Sequence, residues 1–127
     1  MNMIAPWAML VGRVLISYMF IMSGWDKVTG LEGTQGYMEM VGVPGILIYP
    51  TILVEILGGL AVLIGYQTRI AALLLAGFCV LSGFLFHFDL SDGMQVIMLN
   101  KNIAIAGGFL FLVAMGPGSL SIEGRKG

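Results

Sequence analysis

Residues 45–88, GILIYPTILVEILGGLAVLIGYQTRIAALLLAGFCVLSGFLFHF, decide the fold of this chain. Two apolar stretches, 45–65 and 69–88, flank a short polar turn at Tyr66-Gln67-Thr68. Each stretch has about the 20 residues that a helix needs to cross the core of a bilayer. The segment therefore predicts two antiparallel transmembrane helices joined by a tight turn.

Two further apolar stretches of similar length lie outside this hairpin, at residues 4–24 and 94–115. The predicted fold class is therefore all-α: an integral membrane antiparallel four-helix bundle that forms a single transmembrane domain over residues 1–127. No basic segment precedes the first stretch, and Arg13 interrupts it. We therefore expect this stretch to be a retained span and not a cleaved signal peptide.

The links between the spans carry their own signals. Residues 37–41, in the glycine-rich link after the first span, predict a short helix lying at the membrane surface. Asp92 followed by Gln95 resembles a capping pair that opens the fourth helix. This start places residues 100–102, Asn-Lys-Asn, inside the fourth span.

The composition places the chain in a membrane. Apolar residues make up 58% of the sequence and charged residues 10%, whereas a soluble domain carries about 25% charged residues. The net charge of −1, with no basic block, excludes a nucleic-acid-binding protein. With one cysteine, Cys79, and one histidine, His87, we expect no metal site and no cofactor built by this chain alone.

The distribution of basic residues predicts the orientation. Arg69, Arg125 and Lys126 lie on the side of the termini, against Lys27 on the other side, or Lys27 and Lys101 if the last helix starts late. Because cytoplasmic loops carry an excess of Lys and Arg, both termini are predicted to lie in the cytoplasm.

Charged residues inside the spans need a reason to be there, since each costs about 2.5–3.5 kcal/mol at a helix centre. Arg13 lies nine residues after Ile4, and Glu55 ten residues before Gly65, so both are roughly 13–15 Å deep at the rise of an α-helix. Opposite charges at one depth on neighbouring antiparallel helices predict a buried Arg13–Glu55 ion pair. Lys101 is expected roughly 12 Å below the opposite face.

These charges predict a binding site with a surplus of one positive charge, which suits an anion, a carboxylate or a quinone carbonyl oxygen. The candidate site residues are Arg13, Glu55, Lys101, His87 and Asn102. Structural explanations stay open beside this one. The ion pair can fix the helix register, Lys101 can snorkel to the interface, and His87 can be a hydrogen-bonded imidazole at the membrane surface.

Several short motifs, taken in order, carry a family resemblance. They are Gly12-Arg13, Gly24-Trp25-Asp26-Lys27, Glu55-Ile56-Leu57-Gly58-Gly59-Leu60, Gly65-Tyr66-Gln67-Thr68-Arg69-Ile70-Ala71, Lys101-Asn102-Ile103-Ala104 and Gly116-Pro117-Gly118-Ser119-Leu120-Ser121. With them the chain resembles the DoxX family of small bacterial and archaeal membrane proteins. The resemblance implies a multi-pass protein of the cytoplasmic membrane. The family's recurring polar residues correspond to Arg13, Lys27, Glu55, Arg69, Lys101 and His87.

The family name is tied to thiosulfate:quinone oxidoreductase and terminal-oxidase complexes. The resemblance therefore implies an accessory or subunit of a quinone-linked oxidoreductase system, whose polar cluster binds a quinone or a small anion. Two alternatives stay open: a non-enzymatic membrane scaffold or assembly factor with structural charges, and a small oligomeric transporter. Whether the chain is itself an enzyme stays open too. The expected partners are the lipid bilayer, a protein partner or further copies of the chain, and a bound quinone, with no nucleic acid.

Overall fold

The computed structural model of the protein describes residues 3–87 and 90–124. In these ranges the α-helices are α1 (Ile4–Thr29), α2 (Leu31–Met40), α3 (Ile48–Ile64), α4 (Thr68–Phe86) and α5 (Gly93–Met115), with a 3-10 turn at Gly45–Leu47 before α3. Phe88, the predicted end of the third span, lies outside the described residues, as do Arg125 and Lys126, on which the predicted orientation depends.

Four of the described helices, α1, α3 with its preceding turn, α4 and α5, are long and apolar enough to cross a membrane. This confirms the predicted all-α class and the four membrane-spanning helices. The largest difference in bounds is at α1, which continues past Gly24 to Thr29. Lys27 consequently lies in the last turn of α1, where the helix dipole favours a cation.

Residues 37–40 of the short helix predicted at 37–41 form the end of the longer α2, and Val41 follows as its C-cap. Met38 is buried there in a small apolar cluster with Val43 and Ile48. The ring of Tyr37 stacks on Phe86 of α4, with the two centroids 5.8 Å apart. Helix α2 thus covers one end of the bundle, which we call the α2 end. The opposite end, where α1 begins and α5 finishes, is the termini end.

The spanning helices pack in pairs, α1 mainly on α3 and α4 mainly on α5, and a smaller α3–α4 interface joins the pairs. Small residues bring α1 and α3 together, since a Cβ added at Gly59 would lie 3.4 Å from the carbonyl oxygen of Ser17. Gly58, the residue before Gly59, lies against the Leu75 side chain and so brings α3 close to α4. The main apolar core lies between the pairs, around residues such as Phe20, Leu75 and Phe109.

Helix α5 begins at the predicted cap. The Asp92 side chain accepts a hydrogen bond from the backbone N–H of Met94 at 3.0 Å, and residues 100–102 lie inside the helix as predicted. The second half of the predicted capping pair is wrong. Gln95 does not return to Asp92, because its Oε1 lies 2.7 Å from Nδ1 of His87. This contact ties the end of α4 to the start of α5.

After α5 the chain turns back across the termini end of the bundle as residues 116–124, which we call the C-terminal segment. The backbone N–H groups of Ile122 and Glu123 donate to the carbonyls of Ile64 and Gly65, at 3.0 and 3.1 Å. The Glu123 carboxylate accepts a hydrogen bond from the backbone N–H of Thr68, at 3.0 Å. The segment thereby supplies partners to the last carbonyls of α3 and to the first amide of α4, groups that have none within their own helices.

Candidate functional site

Arg13 is 1% exposed, and the partners of its guanidinium are backbone carbonyls. Nη1 donates to the carbonyls of Val62, at 3.2 Å, and Leu63, at 2.7 Å. Nη2 donates to the carbonyl of Leu120 in the C-terminal segment. Carbonyls in the last turn of a helix lack intrahelical partners, so they are natural acceptors for a buried cation. Arg13 therefore fastens together α1, the end of α3 and the C-terminal segment.

The predicted Arg13–Glu55 ion pair is wrong. Nη1 of Arg13 lies 3.1 Å from the position that a Cβ on Gly65 would take, whereas Glu55 is ten residues earlier in the sequence, roughly 15 Å along α3. The prediction assumed that α1 starts level with the end of α3, but α1 extends beyond that end. Helical side chains also lean toward the N-terminus of their own helix. On antiparallel helices the two charged groups therefore point to opposite ends of the bundle.

Glu55 pairs instead with the last turns of α1. The Lys27 Nζ lies 2.8 Å from Glu55 Oε1 and donates to Ser23 Oγ at 2.8 Å. Ser23 Oγ in turn donates to Glu55 Oε2 at 2.9 Å. Glu55 is 3% exposed, and Gly24 permits this approach, because a Cβ there would collide with the Ile56 side chain. The result is a closed Ser23–Lys27–Glu55 triad in the half of the bundle toward the α2 end.

The predicted site left out two members of this triad, Ser23 and Lys27, although the family resemblance had named Lys27 as a recurring polar residue. The prediction ended the first span at Gly24, so Lys27 was counted as a residue of the following link. The spacing of Ser23 and Lys27 was the available signal, since residues four apart share one face of a helix. To use this signal, the prediction had to continue the first helix through Gly24, and glycine is common in membrane helices.

A cavity of about 340 Å³ lies beside the triad, between the spanning helices and beneath α2. Its apolar wall includes side chains from α1, α2, α4 and α5, among them Met19, Phe20, Met38, Phe78, Phe86 and Met98. Its polar lining residues are Ser23, Lys27, Thr34, Tyr37, Thr51, Glu55, Ser82, His87, Lys101 and Asn102. The cavity is thus a mostly apolar space into which a few polar groups converge.

Four of the five predicted site residues, Glu55, His87, Lys101 and Asn102, line this cavity together. Arg13 is absent from it and lies toward the other end of the bundle. Lys27 takes its place, so the two lysines against one glutamate still leave a formal surplus of one positive charge when His87 is neutral. The site therefore keeps the predicted positive charge, but Lys27 contributes it in place of Arg13.

The three other predicted residues differ in how well they are satisfied. Asn102 Nδ2 donates to the backbone carbonyl of Cys79 at 3.2 Å, which ties α5 to α4. His87 Nδ1 donates to the Gln95 amide oxygen, because an amide oxygen only accepts. Lys101 is exposed and makes no hydrogen bond or ion pair with any other residue in the described ranges. Lys101 is therefore the cavity-lining cation that is available to an external partner.

The cavity offers ammonium, hydroxyl, amide and imidazole groups beside one carboxylate. Its chemistry suits a small ligand whose oxygen atoms accept hydrogen bonds. Among residues 3–87 and 90–124, no group of three or more His, Cys, Asp or Glu side chains lies close enough to hold a metal ion.

A second, more polar depression of about 400 Å³ lies at the termini end, between Arg69 and the C-terminal segment. The hydrogen bond from the Thr68 backbone N–H to the Glu123 carboxylate lowers the pKa of Glu123 below its ordinary value, and the Arg69 charge adds to this effect. The carboxylate thus acts as a remote cap on the N-terminus of α4. The depression therefore lies where the C-terminal segment is connected to α4, and the contacts of Glu123 there have a structural explanation.

Comparison with known proteins places the chain among bacterial inner membrane proteins. It is 50% identical to the Escherichia coli inner membrane protein YqjF over 114 residues, which cover 90% of this chain and 88% of that protein. It is 32% identical to the E. coli inner membrane protein YphA over 127 residues, covering 94% of this chain and 91% of that protein. With four candidate spans, the chain is a multi-pass membrane protein of bacterial type.

A shorter similarity links the chain to a Bacillus subtilis protein named "Putative oxidoreductase CatD", at 34% identity over 67 residues, which cover 53% of this chain and 50% of that protein. No solved structure gives a significant match. The DoxX family model matches residues 8–88, a range that contains Arg13, the triad, most of α1 and all of α3 and α4. The chain therefore belongs to the DoxX family of integral membrane proteins.

Proposed function

We propose that this DoxX protein is the membrane subunit or accessory of a quinone-linked oxidoreductase system, and that the cavity at the α2 end binds a quinone head or a small anion of similar size. The observation that carries the proposal is the placement of Lys101. It is a cation without a partner in the described chain, on the wall of a mostly apolar cavity that also holds the Ser23–Lys27–Glu55 triad.

The size and lining of the cavity support a small ligand. Pockets for small molecules span about 300–1,000 Å³ and combine apolar walls with a few placed polar groups. At about 340 Å³ this cavity is at the lower end of that range. Its volume suits one ring or one small anion.

The charges fit the chemistry of a reducible carbonyl. Oxygen atoms of a quinone gain negative charge on reduction, and ammonium groups such as those of Lys101 and Lys27 stabilise that charge in a site of low dielectric constant. Reduction also consumes protons, and the Glu55 carboxylate is positioned to exchange one with a ligand in the cavity. The electrons have to come from a partner, since one cysteine and one histidine cannot ligate a bis-histidine haem or an iron–sulfur cluster.

The relatives support the setting of the proposal. The similarity to CatD associates part of this sequence with the name of an oxidoreductase. The names of YqjF and YphA give an inner-membrane location. A redox partner would therefore be sought among proteins that reach the same membrane.

Lys101→Met tests the proposal, with Arg69→Met as the matched control. Both substitutions remove one exposed positive charge from a spanning helix, but Arg69 lies at the termini end, away from the cavity. Binding of a benzoquinone without an alkyl tail is measured by calorimetry on purified protein in phospholipid nanodiscs. We expect Lys101→Met to weaken binding by about tenfold, which corresponds to roughly 1.4 kcal/mol, and Arg69→Met to leave it unchanged.

Absence of binding to the unaltered protein, or equal effects of the two variants, would contradict the proposal. The double substitution Lys27→Glu with Glu55→Lys separates a structural role of the triad from ligand binding. Each single substitution is expected to lower the abundance of the protein in the membrane. If the double substitution restores abundance but not quinone binding, the triad acts on the ligand. Full recovery of both would show that it only holds helices together.

A further inference from the structure

Helices α1 and α5 close the bundle less tightly than the other neighbouring pairs of spanning helices. They touch near mid-membrane, where the rings of Phe20 and Phe109 have centroids 5.4 Å apart. There too, the Ile16 side chain approaches within 3.2 Å of the place of a Cβ on Gly108. No substantial backbone interface joins α1 and α5 in the described ranges. Every other side of the bundle has such an interface, between α1 and α3, α3 and α4, or α4 and α5.

Toward the α2 end, the two helices contribute separate walls of the cavity. Met19 and Lys27 line it from α1, and Met98 and Lys101 line it from α5. No hydrogen bond or ion pair of the described residues connects the two helices there. We call this part of the α1–α5 boundary the seam. Both methionines are half-buried, and their flexible thioether chains can move aside at little cost.

Lys101 lies at the seam at a depth where a bare ammonium group is costly. It follows Gly93, the first residue of α5, by eight positions, or roughly 12 Å along the helix. A cation inside a span is costly unless it is paired or hydrated. Because Lys101 has no partner among the described residues, an oxygen-bearing group from outside the chain would offset this cost.

The cavity is better closed at the α2 end than at the seam, because α2 packs over that end of the bundle. Gln35 Nε2 donates to the backbone carbonyl of Gly45 at 3.1 Å, Met38 is 5% exposed, and Tyr37 stacks on Phe86. A ligand arriving from water at the α2 end would have to displace these contacts. A ligand arriving through the seam would meet no hydrogen bond or ion pair between α1 and α5 among the described residues, and the half-buried Met19 and Met98 can move aside.

We infer that the cavity receives its ligand sideways from the bilayer, and that this ligand is an amphiphile with an oxygen-bearing head and an apolar tail. The head lies in the cavity near Lys101 and Lys27, and the tail lies in the seam between Met19 and Met98. This inference rests on the proposed function and adds to it the class of ligand and its path. A water-soluble anion would bind in the cavity alone and would have no group to place in the seam.

The test compares two probes: a benzoquinone with a decyl tail and the same ring with a methyl group in its place. Met98→Trp fills the seam, and Ile97→Trp is its matched control, because Ile97 is 61% exposed and does not line the cavity. Met19→Trp with Tyr18→Trp repeats the comparison from the side of α1. Occupancy is measured by native mass spectrometry of protein released from nanodiscs, and unfolding in dodecyl sulfate checks that each variant is folded.

We expect Met98→Trp to weaken binding of the tailed probe by about tenfold, because the indole takes the space of the tail. Binding of the tail-less probe should change by less than about twofold, and Ile97→Trp should affect neither probe. In addition, a diazirine at the end of the tail should label α1 and α5.

Three results would overturn the inference. If neither tryptophan at the seam changes binding of the tailed probe while the tail-less probe still binds, the lateral path is wrong and the proposed function stands. If the diazirine labels α2, the ligand enters from the aqueous side. If the unaltered protein binds neither probe, the proposed function fails, and the path fails with it.

Discussion

The surroundings of Arg13 and of the Ser23–Lys27–Glu55 triad differ in kind, although both place charge inside the α1–α3 pair. Arg13 is bonded to backbone carbonyls, and it does not line the cavity at the α2 end. The triad is built from side chains and borders that cavity. Backbone carbonyls do not titrate and can move only if their helix unfolds, whereas ionisable side chains can move and exchange protons. The difference supports a structural role for Arg13 and agrees with the ligand-binding role that we propose for the triad.

The strongest test of this contrast is the loss of Arg13. Arg13→Leu leaves three carbonyls without their donor and removes the connection between α1 and the C-terminal segment, so we expect a loss of about 3–5 kcal/mol in the free energy of unfolding. Lys27→Met should cost less than half of this amount, because Glu55 keeps its hydrogen bond from Ser23. Unfolding in mixed dodecyl sulfate micelles measures both. Equal losses would remove the distinction between the two regions.

An intermediate effect is expected at Gly65, which ends α3 in the left-handed conformation with φ 76°. A Cβ there would collide with the Ser121 side chain, so Gly65→Ala adds backbone strain and displaces the C-terminal segment from Arg13. The expected cost is about 2–3 kcal/mol. Gly77→Ala is the control, since a Cβ at Gly77 meets nothing within 4 Å. It should be neutral or stabilising by up to about 1 kcal/mol. Quinone binding by folded Gly65→Ala should stay unchanged, and its loss would link the two regions.

The smallest expected effect is at Glu123, which caps α4 from the C-terminal segment. Glu123→Gln should cost about 0.3–1 kcal/mol at neutral pH, because the amide still accepts a hydrogen bond but loses its charge at the helix N-terminus. The pKa of Glu123 is lowered in the folded protein, mainly by the hydrogen bond from the Thr68 backbone N–H. Its stabilisation is therefore present above the unfolded pKa of about 4.3 and disappears as the pH falls through the folded pKa. Unfolding of both proteins across that range checks this, and a difference that grows on acidification would contradict it.

Much of the fold could be predicted from the sequence, because the length of an apolar stretch constrains a membrane helix strongly. The four spans, the short helix α2 and the Asp92 cap follow from span length, amphipathic pattern and capping chemistry. Glu55, His87, Lys101 and Asn102 were also predicted to share one site, because polar groups inside membrane spans usually face the interior of the bundle.

The partners of the charges could not be predicted in the same way. Pairing Arg13 with Glu55 required the offset between α1 and α3, and that offset depends on packing at Gly24 and Gly59, not on where each apolar stretch begins. The return of the C-terminal segment carries no periodic signal, because it is held by backbone hydrogen bonds that many sequences can make. For that reason the sequence could not predict that the carbonyl of Leu120 is a principal partner of Arg13.

The bond from Arg13 to Leu120 also imposes an order on biosynthesis. Arg13 is translated and inserted with α1, whereas Leu120 is translated only after α5. Until then Nη2 of Arg13 lacks this acceptor, so the inserted helices are not yet joined to the C-terminal segment. A chain halted before Leu120 would hold all four spans but would lack the carbonyl that Leu120 supplies to Arg13.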